Sequence, residues 1–531
     1  KKPMTLRILI ADQVDEEGLA PLRPYAEVIE LPTISQEELV ATVADYDALI
    51  VRSRAKVTAE VLAAGRVGRL KVVGRAGVGV DNIDVNAATE AGVTVVNAPT
   101  GNVVAAAEHT VAMLLALARH IPAADQSMRA GEWKRTKFMG TEVRGKRLGL
   151  IGLGRIASLV AARCQGLNME VVAYDPYVGK DYAANLNVQL VDLDELLRTA
   201  NFISLHVPAT EQTRGMLDAA ALQRCKPGVF ILNCARGGVV NEAALAAALE
   251  SGHVAGAALD VFEYEPPTGS PLLHSRNVVL TPHIAGSTHE AQLQVALDVA
   301  EQVIDVLQGR LAPYAINTPI LAPKDLEALT PFIDLAERLG RFLTQLEPGM
   351  LDHMELTAHG PIAELDLTYL EAAALKGLLD GVVAERVNLV NARLIARQRG
   401  LNLSQRRLRH HGERYENMLT LIVGNGDRQR MVRGSIVQDE PHIVCIDDLW
   451  VDFVAKGHLL LTWHHDRPGI VGRIGTLLGQ NDVNIAFMHL GRRSARGEAI
   501  MVLGLDEAIP ERLYPEILGM PHNYWVKAIQ L

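Results

Sequence analysis

The apolar positions follow one rhythm up to about residue 319 and another beyond it. In the first stretch, short β-branched or aliphatic runs alternate with Ala/Leu-rich segments of helical spacing, the signature of parallel α/β structure. Strands are predicted at Leu6 to Ile10, Ala48 to Val51, Val72 to Gly74, Arg147 to Ile151, Glu170 to Tyr174, Phe202 to Leu205, Val229 to Cys234 and Val278 to Thr281. Each run is short and apolar on both faces, as a sheet covered by helices requires.

After Pro319 and Pro323 the pattern changes. Leu326, Leu329, Phe332, Ile333, Ala336, Leu339 and Leu343 recur at helical spacing, and Gly424-Asn425-Gly426-Asp427 is a turn joining Leu419 to Val423 with Arg430 to Val437 in a hairpin. Residues 319–455 are expected to form a separate α+β domain. Residues 456–531 read strand (His458 to Trp463), helix (Ile470 to Gln480), strand (Val483 to Leu490), strand (Glu498 to Leu505), helix (Pro510 to Leu518), strand (Tyr524 to Ile529), the βαββαβ order of a ferredoxin-like split. An apolar-periodic helix after Gly286 can return the chain to its first strands. Residues 1–98 and 287–318 are therefore expected to form one domain split in sequence, with 99–286 between them. The helix from Val103 to Ala118 and the returning segment would serve as hinges.

The length of 531 residues fits this division into four, since ~150 residues per domain is the usual size. Apolar residues at 49% and charged residues at 21% exclude a disordered chain. With 52 Lys+Arg against 62 Asp+Glu, the net charge of −10 leaves no global positive field for nucleic acid or an anionic membrane. Even the long Val103 to Ala118 run is interrupted by Glu108 and His109, so no membrane span is expected. Lys1-Lys2-Pro3 runs straight into a strand, with no room for a signal peptide. Cys164, Cys225, Cys234 and Cys445 show neither paired nor metal-ligand spacing. A cytoplasmic protein without a metal is expected.

Candidate chemistry begins at Gly152-Leu153-Gly154-Arg155-Ile156-Ala157, between a predicted strand and a helix. Gly152 and Gly154 allow a tight turn and close approach of a pyrophosphate to N–H groups at a helix N-terminus, the mark of a Rossmann-type dinucleotide domain. The next strand ends in Asp175, close to the ~20-residue offset at which an acid meets the adenosine ribose hydroxyls. Its charge would repel a 2′-phosphate, so NAD is expected rather than NADP.

Three further stretches each follow a predicted strand, where open α/β sheets place ligands. They are Asn233-Cys234-Ala235-Arg236-Gly237-Gly238, Asp260-Val261-Phe262-Glu263-Tyr264-Glu265 and Thr281-Pro282-His283-Ile284-Ala285-Gly286. Oxidising a 2-hydroxy acid needs a cation for the carboxylate, a base for the hydroxyl proton and an acid that stabilises the protonated base. Arg236, His283 and Glu265 have those characters. Singly, each has a bland reading as a surface charge or a structural histidine. Jointly, after a dinucleotide loop, they point to catalysis.

These motifs resemble the D-isomer-specific 2-hydroxyacid dehydrogenases, and among them the phosphoglycerate dehydrogenases, over essentially the whole chain. The resemblance implies a flavodoxin-like split substrate domain beside the Rossmann-type domain, with Arg236 as carboxylate and hydroxyl binder, His283 as acid/base and Glu265 orienting it. It also implies that Arg155, Ile156, His206, Val207, Pro208, Cys234, Ala235, Arg236, Asp260, His283, Ala285 and Gly286 line the cofactor. Ala157 stands where Gly is usual, an accepted variant. Two N-terminal strand ends carry Arg52-Ser53-Arg54 and Arg75-Ala76-Gly77, cations beyond what one carboxylate needs. The resemblance puts Arg52 and Arg75 on the phosphate side and backbone N–H groups near Gly77 on the carboxylate, and counts Ser53 and Asn102 among the substrate-binding residues. It adds Arg135 of the Trp133 to Lys137 stretch, reaching a neighbouring subunit's site, against which stands a solvated charged loop. The implied substrate is 3-phosphoglycerate.

His464-His465-Asp466-Arg467-Pro468-Gly469 followed by Asn481-Asp482-Val483-Asn484 resembles an ACT domain, an amino-acid-binding regulatory module. The resemblance implies L-serine as effector, with His464, Asp466 and Asn484 as its contacts, and a homo-oligomer, dimer or tetramer. Residues 319–455 resemble the intervening domain of the long bacterial members. There, Arg406-Arg407-Leu408-Arg409-His410-His411 reads as a solvated helix face, with anion binding as the alternative. Two other readings stay open: a different D-2-hydroxyacid dehydrogenase, and an NAD-sensing corepressor-like binding protein.

Overall fold

The computed structural model describes residues 5–531 apart from 320–322, 348, 350, 384, 410–413 and 427. Lys1 to Pro3, Asp427 of the hairpin turn, and His410 and His411 lie outside the described residues.

Strands β1 (Leu6–Ile10), β2 (Ala26–Glu30), β3 (Ala48–Val51), β4 (Val72–Arg75) and β5 (Thr94–Asn97) form a parallel sheet in the order β2-β1-β3-β4-β5, the flavodoxin-like arrangement. Leu39, Val61, Leu62 and Ala88, from helices Gln36–Thr42, Ala59–Val67 and Val85–Ala91, cover one face. The other is covered by Val295, Val299 and Val303 of helix His289–Leu307. A helix far along the chain thus closes the N-terminal sheet.

The second sheet holds β6 (Arg147–Ile151), β7 (Glu170–Tyr174), β8 (Gln189–Leu190), β9 (Phe202–Leu205), β10 (Val229–Asn233), β11 (Val254–Leu259) and β12 (Val278–Leu280), all parallel, in the order β12-β11-β10-β9-β6-β7-β8. The order reverses between β6 and β9, which opens a crevice at their C-terminal ends. Helix Val103–Ala118 leaves the first sheet and buries Met113, Leu114 and Leu117 beside Phe202 of β9 and Val160 of the helix Arg155–Gly166. Among the described residues no single helix is long and apolar enough to cross a membrane.

The third sheet contains β13 (His353–His359), β14 (Asn402–Leu408), β15 (Met418–Asn425), β16 (Arg428–Val437), β17 (Glu440–Ile446) and β18 (Leu449–Val454), ordered β14-β13-β15-β16-β17-β18. The hairpin expected from Gly424 to Gly426 is β15–β16. Arg406 and Arg407 do not sit on a helix: they belong to β14, an edge strand paired parallel to β13, where Arg406 meets Glu355 at 3.2 Å. Leu403 and Gln405 turn inward while their neighbours face out. Charge on an exposed edge opposes strand addition, so a strand accounts for the basic run as well as a helix does.

Strands β19 (His458–His465), β20 (Ile485–Arg492), β21 (Glu498–Leu505) and β22 (Asn523–Gln530) form an antiparallel sheet ordered β20-β21-β19-β22, with helices Ile470–Gln480 and Leu513–Leu518 completing the expected βαββαβ order. One face packs Leu460 and Leu503 against Ile474. The opposite face contributes Leu459, Leu461, Ile500 and Val502 to the same core as Leu335, Leu339 and Phe342 of helix Pro323–Leu346. Arg430 of β16 further lies over the rings of Trp463 and Trp525. The third and fourth sheets therefore share one interior.

Candidate active site

The turn after β6 is shaped by its glycines. Gly152 has φ +90°, and a Cβ there would stand 2.7 Å from the His206 carbonyl oxygen. Gly154 starts helix Arg155–Gly166, and a Cβ on it would meet nothing within 4 Å. That open space belongs to a cavity of about 330 Å³ lined by Gly154, Arg155, Ile156, His206, Val207, Pro208, Cys234, Ala235 and Arg236, with Val78 and Pro99 from the first sheet's side. Free N–H groups at a helix N-terminus suit a pyrophosphate. Asp175 accepts hydrogen bonds from the Leu153 and Tyr177 amides at 2.8 and 2.9 Å, which holds its carboxylate beside the glycine turn, where ribose hydroxyls can donate to its remaining lone pairs. Ala157 is fully buried in the core beneath. The donor set and the cradle both fit NAD.

Burial pulls the His206 imidazole down to about 4. It is therefore neutral near pH 7 and is hydrogen-bonded to Ser204 Oγ at 2.9 Å. Burial likewise pushes the Cys234 thiol up to about 12, against a hydrogen bond with Thr110, so Cys234 lines the cavity as an uncharged group.

His283 and Glu265 come together: Nδ1 of the imidazole lies 2.8 Å from Glu265 Oε2. Glu265 Oε1 accepts from the Phe262 amide at 3.1 Å. With Nδ1 engaged by the carboxylate, Nε2 is the nitrogen free to exchange a proton. These residues line a second cavity of about 400 Å³ with Thr281 and Pro282. Asp260 fixes the loop that carries His283. Its carboxylate accepts from Thr281 Oγ1 at 2.6 Å and from the Ile284 and Ala285 amides at 2.9 and 2.8 Å. Burial alone would raise this carboxyl, but bonds from His109, Thr281 and the two amides bring it below its ordinary value. Asp260 is thus a scaffold for the loop. A Cβ on Gly286 would approach Asn102 Nδ2 at 2.8 Å, so those two expected residues adjoin.

Arg236 is held by its own loop. Asn233, buried at the end of β10, donates to the Arg236 carbonyl at 2.9 Å and accepts from the Ala235 amide at 3.1 Å. Across the cleft stand Arg75 and Arg52. The Arg75 guanidinium is pulled down to about 10, by burial first and then by the charges of Arg236 and Arg52. Arg75 thus feels both of the other guanidiniums, in a region that also holds the carboxylates of Asp81 and Asp12. Gly77 has φ +151°, and a Cβ there would overlap Arg75 Nη1, so only glycine lets that side chain lie over the backbone. Ser53 is exposed beside Arg52. Arg135 stands exposed on the turn Arg135–Phe138, and among the described residues it makes no contact with this arginine cluster.

Some positioning residues escape a reading by motif. Asp12, buried at the end of β1, accepts from the Arg52 and Ala55 amides at 2.6 and 3.1 Å and pairs with Arg54 at 3.1 Å. His109 Nε2 meets Thr281 Oγ1 at 3.1 Å, tying helix Val103–Ala118 to the His283 loop. Asn233 was visible as a polar residue ending an apolar strand. Asp12 and His109 carry no comparable signal.

The three expected effector contacts are not assembled in one chain. His464 is buried beside Thr462. Asp466 accepts from Arg492 Nη1 at 2.8 Å and the Arg496 amide at 3.1 Å, which hold its carboxyl below the usual range. Asn484 donates to Asp506 at 2.6 Å. His458 and Ile485 both pair with Leu505, whereas His465 pairs with Glu498. Asp466 and Asn484 therefore lie at opposite ends of the sheet.

Comparison with known proteins finds three families along the chain. Residues 111–285 match the D-isomer specific 2-hydroxyacid dehydrogenase NAD binding domain, 328–447 the D-3-phosphoglycerate dehydrogenase intervening domain, and 458–520 the ACT domain. The D-3-phosphoglycerate dehydrogenase of Archaeoglobus fulgidus is 43% identical over 94% of this chain and 95% of its own. The chain belongs to the D-3-phosphoglycerate dehydrogenase family. As a member it is an NAD-dependent oxidoreductase. The family enzyme of Bacillus subtilis is 40% identical, with 99% of each chain covered. Among solved structures, the apo D-lactate dehydrogenase of Escherichia coli aligns with 59% of this family member and 100% of its own chain, at TM-score 0.53 and 26% identity. A glyoxylate reductase from Paecilomyes thermophila covers 59% and 98%, at TM-score 0.55 and 28% identity.

Proposed function

We propose that this enzyme oxidises 3-phospho-D-glycerate to 3-phosphohydroxypyruvate, the first step of L-serine formation. The observation that carries the substrate is the cluster of Arg52, Arg75 and Arg236, in which the half-buried Arg75 guanidinium lies close enough to feel the other two charges. One carboxylate needs one guanidinium, so the other two call for a phosphate. In this reading Arg236 and the backbone at Gly77 hold the carboxylate, while Arg52 and Arg75, with Ser53, hold the phosphate. His283 Nε2 takes the hydroxyl proton while Glu265, on Nδ1, stabilises the resulting imidazolium. NAD, when bound, supplies the hydride acceptor. Asp175 takes the ribose hydroxyls, and the amides following Gly154 face the pyrophosphate. Closure of the two sheets about helices Val103–Ala118 and His289–Leu307 excludes water.

The ACT match supports L-serine as the effector, and the same reading includes a homo-oligomer, in which His464 and Asp466 of one chain meet Asn484 of another. Arg135, exposed and away from its own cluster, is assigned to a neighbouring subunit's site. A cytoplasmic location fits the four free cysteines and the bacterial and archaeal relatives. The test is NADH formation from 3-phosphoglycerate and from an unphosphorylated D-2-hydroxy acid, with and without L-serine. Preference for the phosphorylated substrate, inhibited by serine, is expected. Equal rates on both substrates would make it a different D-2-hydroxyacid dehydrogenase, and no turnover of either would leave the binding-protein reading.

A further inference from the structure

We infer that Glu242 is a positioning residue for the catalytic pair, acting on His283 only through Glu265. Glu265 lies in a segment, from Phe262 to Ser270, that contains neither strand nor helix. Apart from its turns Thr268 to Pro266 and Ser270 to Pro267, such a segment has no ladder to fix it, yet Glu265 must be held closely enough to keep one imidazole nitrogen engaged. The hold comes from Glu242, the first residue of helix Glu242–Glu250. Its side chain is buried, 7% exposed. Oε1 accepts the Glu263 amide at 2.6 Å, and Oε2 accepts the Ser270 hydroxyl. One carboxylate thus ties down both ends of the stretch that contains Glu265, and the first tether lies two residues from it.

A carboxylate suits this task because both of its oxygens accept hydrogen bonds. Its charge is tolerated at this depth because it sits in the first turn of a helix, where the dipole favours anions. The bonds run from Glu242 to the Glu263 amide, and from Glu265 to the Phe262 amide and to His283, so Glu242 is linked to His283 through the loop and Glu265.

The inference rests on His283 and Glu265 forming the acid/base pair, and a double-mutant cycle separates the two claims. Glu242→Ala should lower kcat about tenfold, with KM for 3-phosphoglycerate and Kd for NADH, read by fluorescence, changed less than about twofold. Glu242→Gln should recover most of the rate, because the carboxamide oxygen can still accept the Glu263 amide while its NH₂ donates to Ser270. In a Glu265→Ala background the further change Glu242→Ala should alter kcat less than about twofold, since residues acting as one unit are not additive. The same tenfold loss in both backgrounds, or unchanged kcat in Glu242→Ala, would overturn the inference while leaving the catalytic pair standing. Normal turnover in Glu265→Ala itself would remove the pair and the inference together. Should Glu242→Ala fail to fold, Ser270→Ala cuts one tether alone, and a kcat loss that vanishes in the Glu265→Ala background is expected. Loss that persists there overturns it.

Discussion

The guanidinium of Arg236 faces the carboxylate of Asp81 at 3.6 Å, a contact between the loop after β10 and the loop after β4. A protein carboxylate thus occupies part of the cation assigned to the substrate carboxylate. Asp81 is 81% exposed and Arg236 30% exposed, and ion pairs this open contribute roughly 0–1 kcal/mol. Asp81→Ala should therefore lower KM for 3-phosphoglycerate, by up to about fivefold at low salt, and leave kcat unchanged. A rise in KM on steady-state assay would mean that Asp81 holds Arg236 in place.

His283 is the second point of test. His283→Ala removes the group at the free end of the Glu265 contact, and kcat should fall on the order of 10²-fold or more. NADH affinity, followed by fluorescence titration, should hold. Normal turnover would take His283 out of the mechanism.

Whether a feature is legible in the sequence depends on how locally it is encoded. Gly152, Gly154 and Asp175 are fixed by a turn and the strand that follows it, so spacing reveals them. The strand β2, Ala26–Glu30, escaped because it is a half-exposed edge strand with glutamates at two of its five positions. Arg406 escaped differently: a run of cations reads alike on a helix face and on a charged edge strand. Asp12 and His109 act on partners 40 and 172 residues away, and no local pattern carries such a pairing. The core shared by the third and fourth sheets is likewise a matter of which faces meet, since Leu459 and Leu461 alternate as any half-buried strand does.

The arginine cluster sets function against stability. Arg75→Met removes a partly desolvated cation that is repelled by Arg236 and Arg52, so Tm without substrate should hold or rise. KM for 3-phosphoglycerate should rise far more than KM for an unphosphorylated 2-hydroxy acid, and Arg52→Ala should show the same selectivity. Equal losses on both substrates in steady-state assays would sink the phosphate assignment.

His206 gives a pH dependence with a definite sign. Its native imidazole titrates at about 4 because of burial, whereas in the unfolded chain it titrates near ~6.5. Between those values the unfolded state binds more protons, so this contribution is complete above pH ~6.5 and is lost as pH falls toward 4. Urea unfolding at pH 7.5 and pH 5 should show wild type losing more stability than His206→Gln over that interval. Identical losses would show that His206 is protonated as readily in the native protein as in the unfolded one.

Asp466 and Asn484 bound a sheet whose strands β19 and β20 run in the same direction. Eight residues of strand at about 3.3 Å each separate them by roughly 25 Å, several times the length of an amino acid. A serine site built from both residues must therefore draw Asp466 from one chain and Asn484 from another. Asp466→Ala alone and Asn484→Ala alone should each abolish inhibition by L-serine without changing basal kcat. Co-refolding the two variants should restore inhibition in part, because one of the two sites in a mixed pair then carries both native residues. Activity with and without serine, measured on the mixture and on each parent, checks this. Recovery absent from the mixture, where mixed pairs are shown to form, would place serine within a single chain or elsewhere on the enzyme.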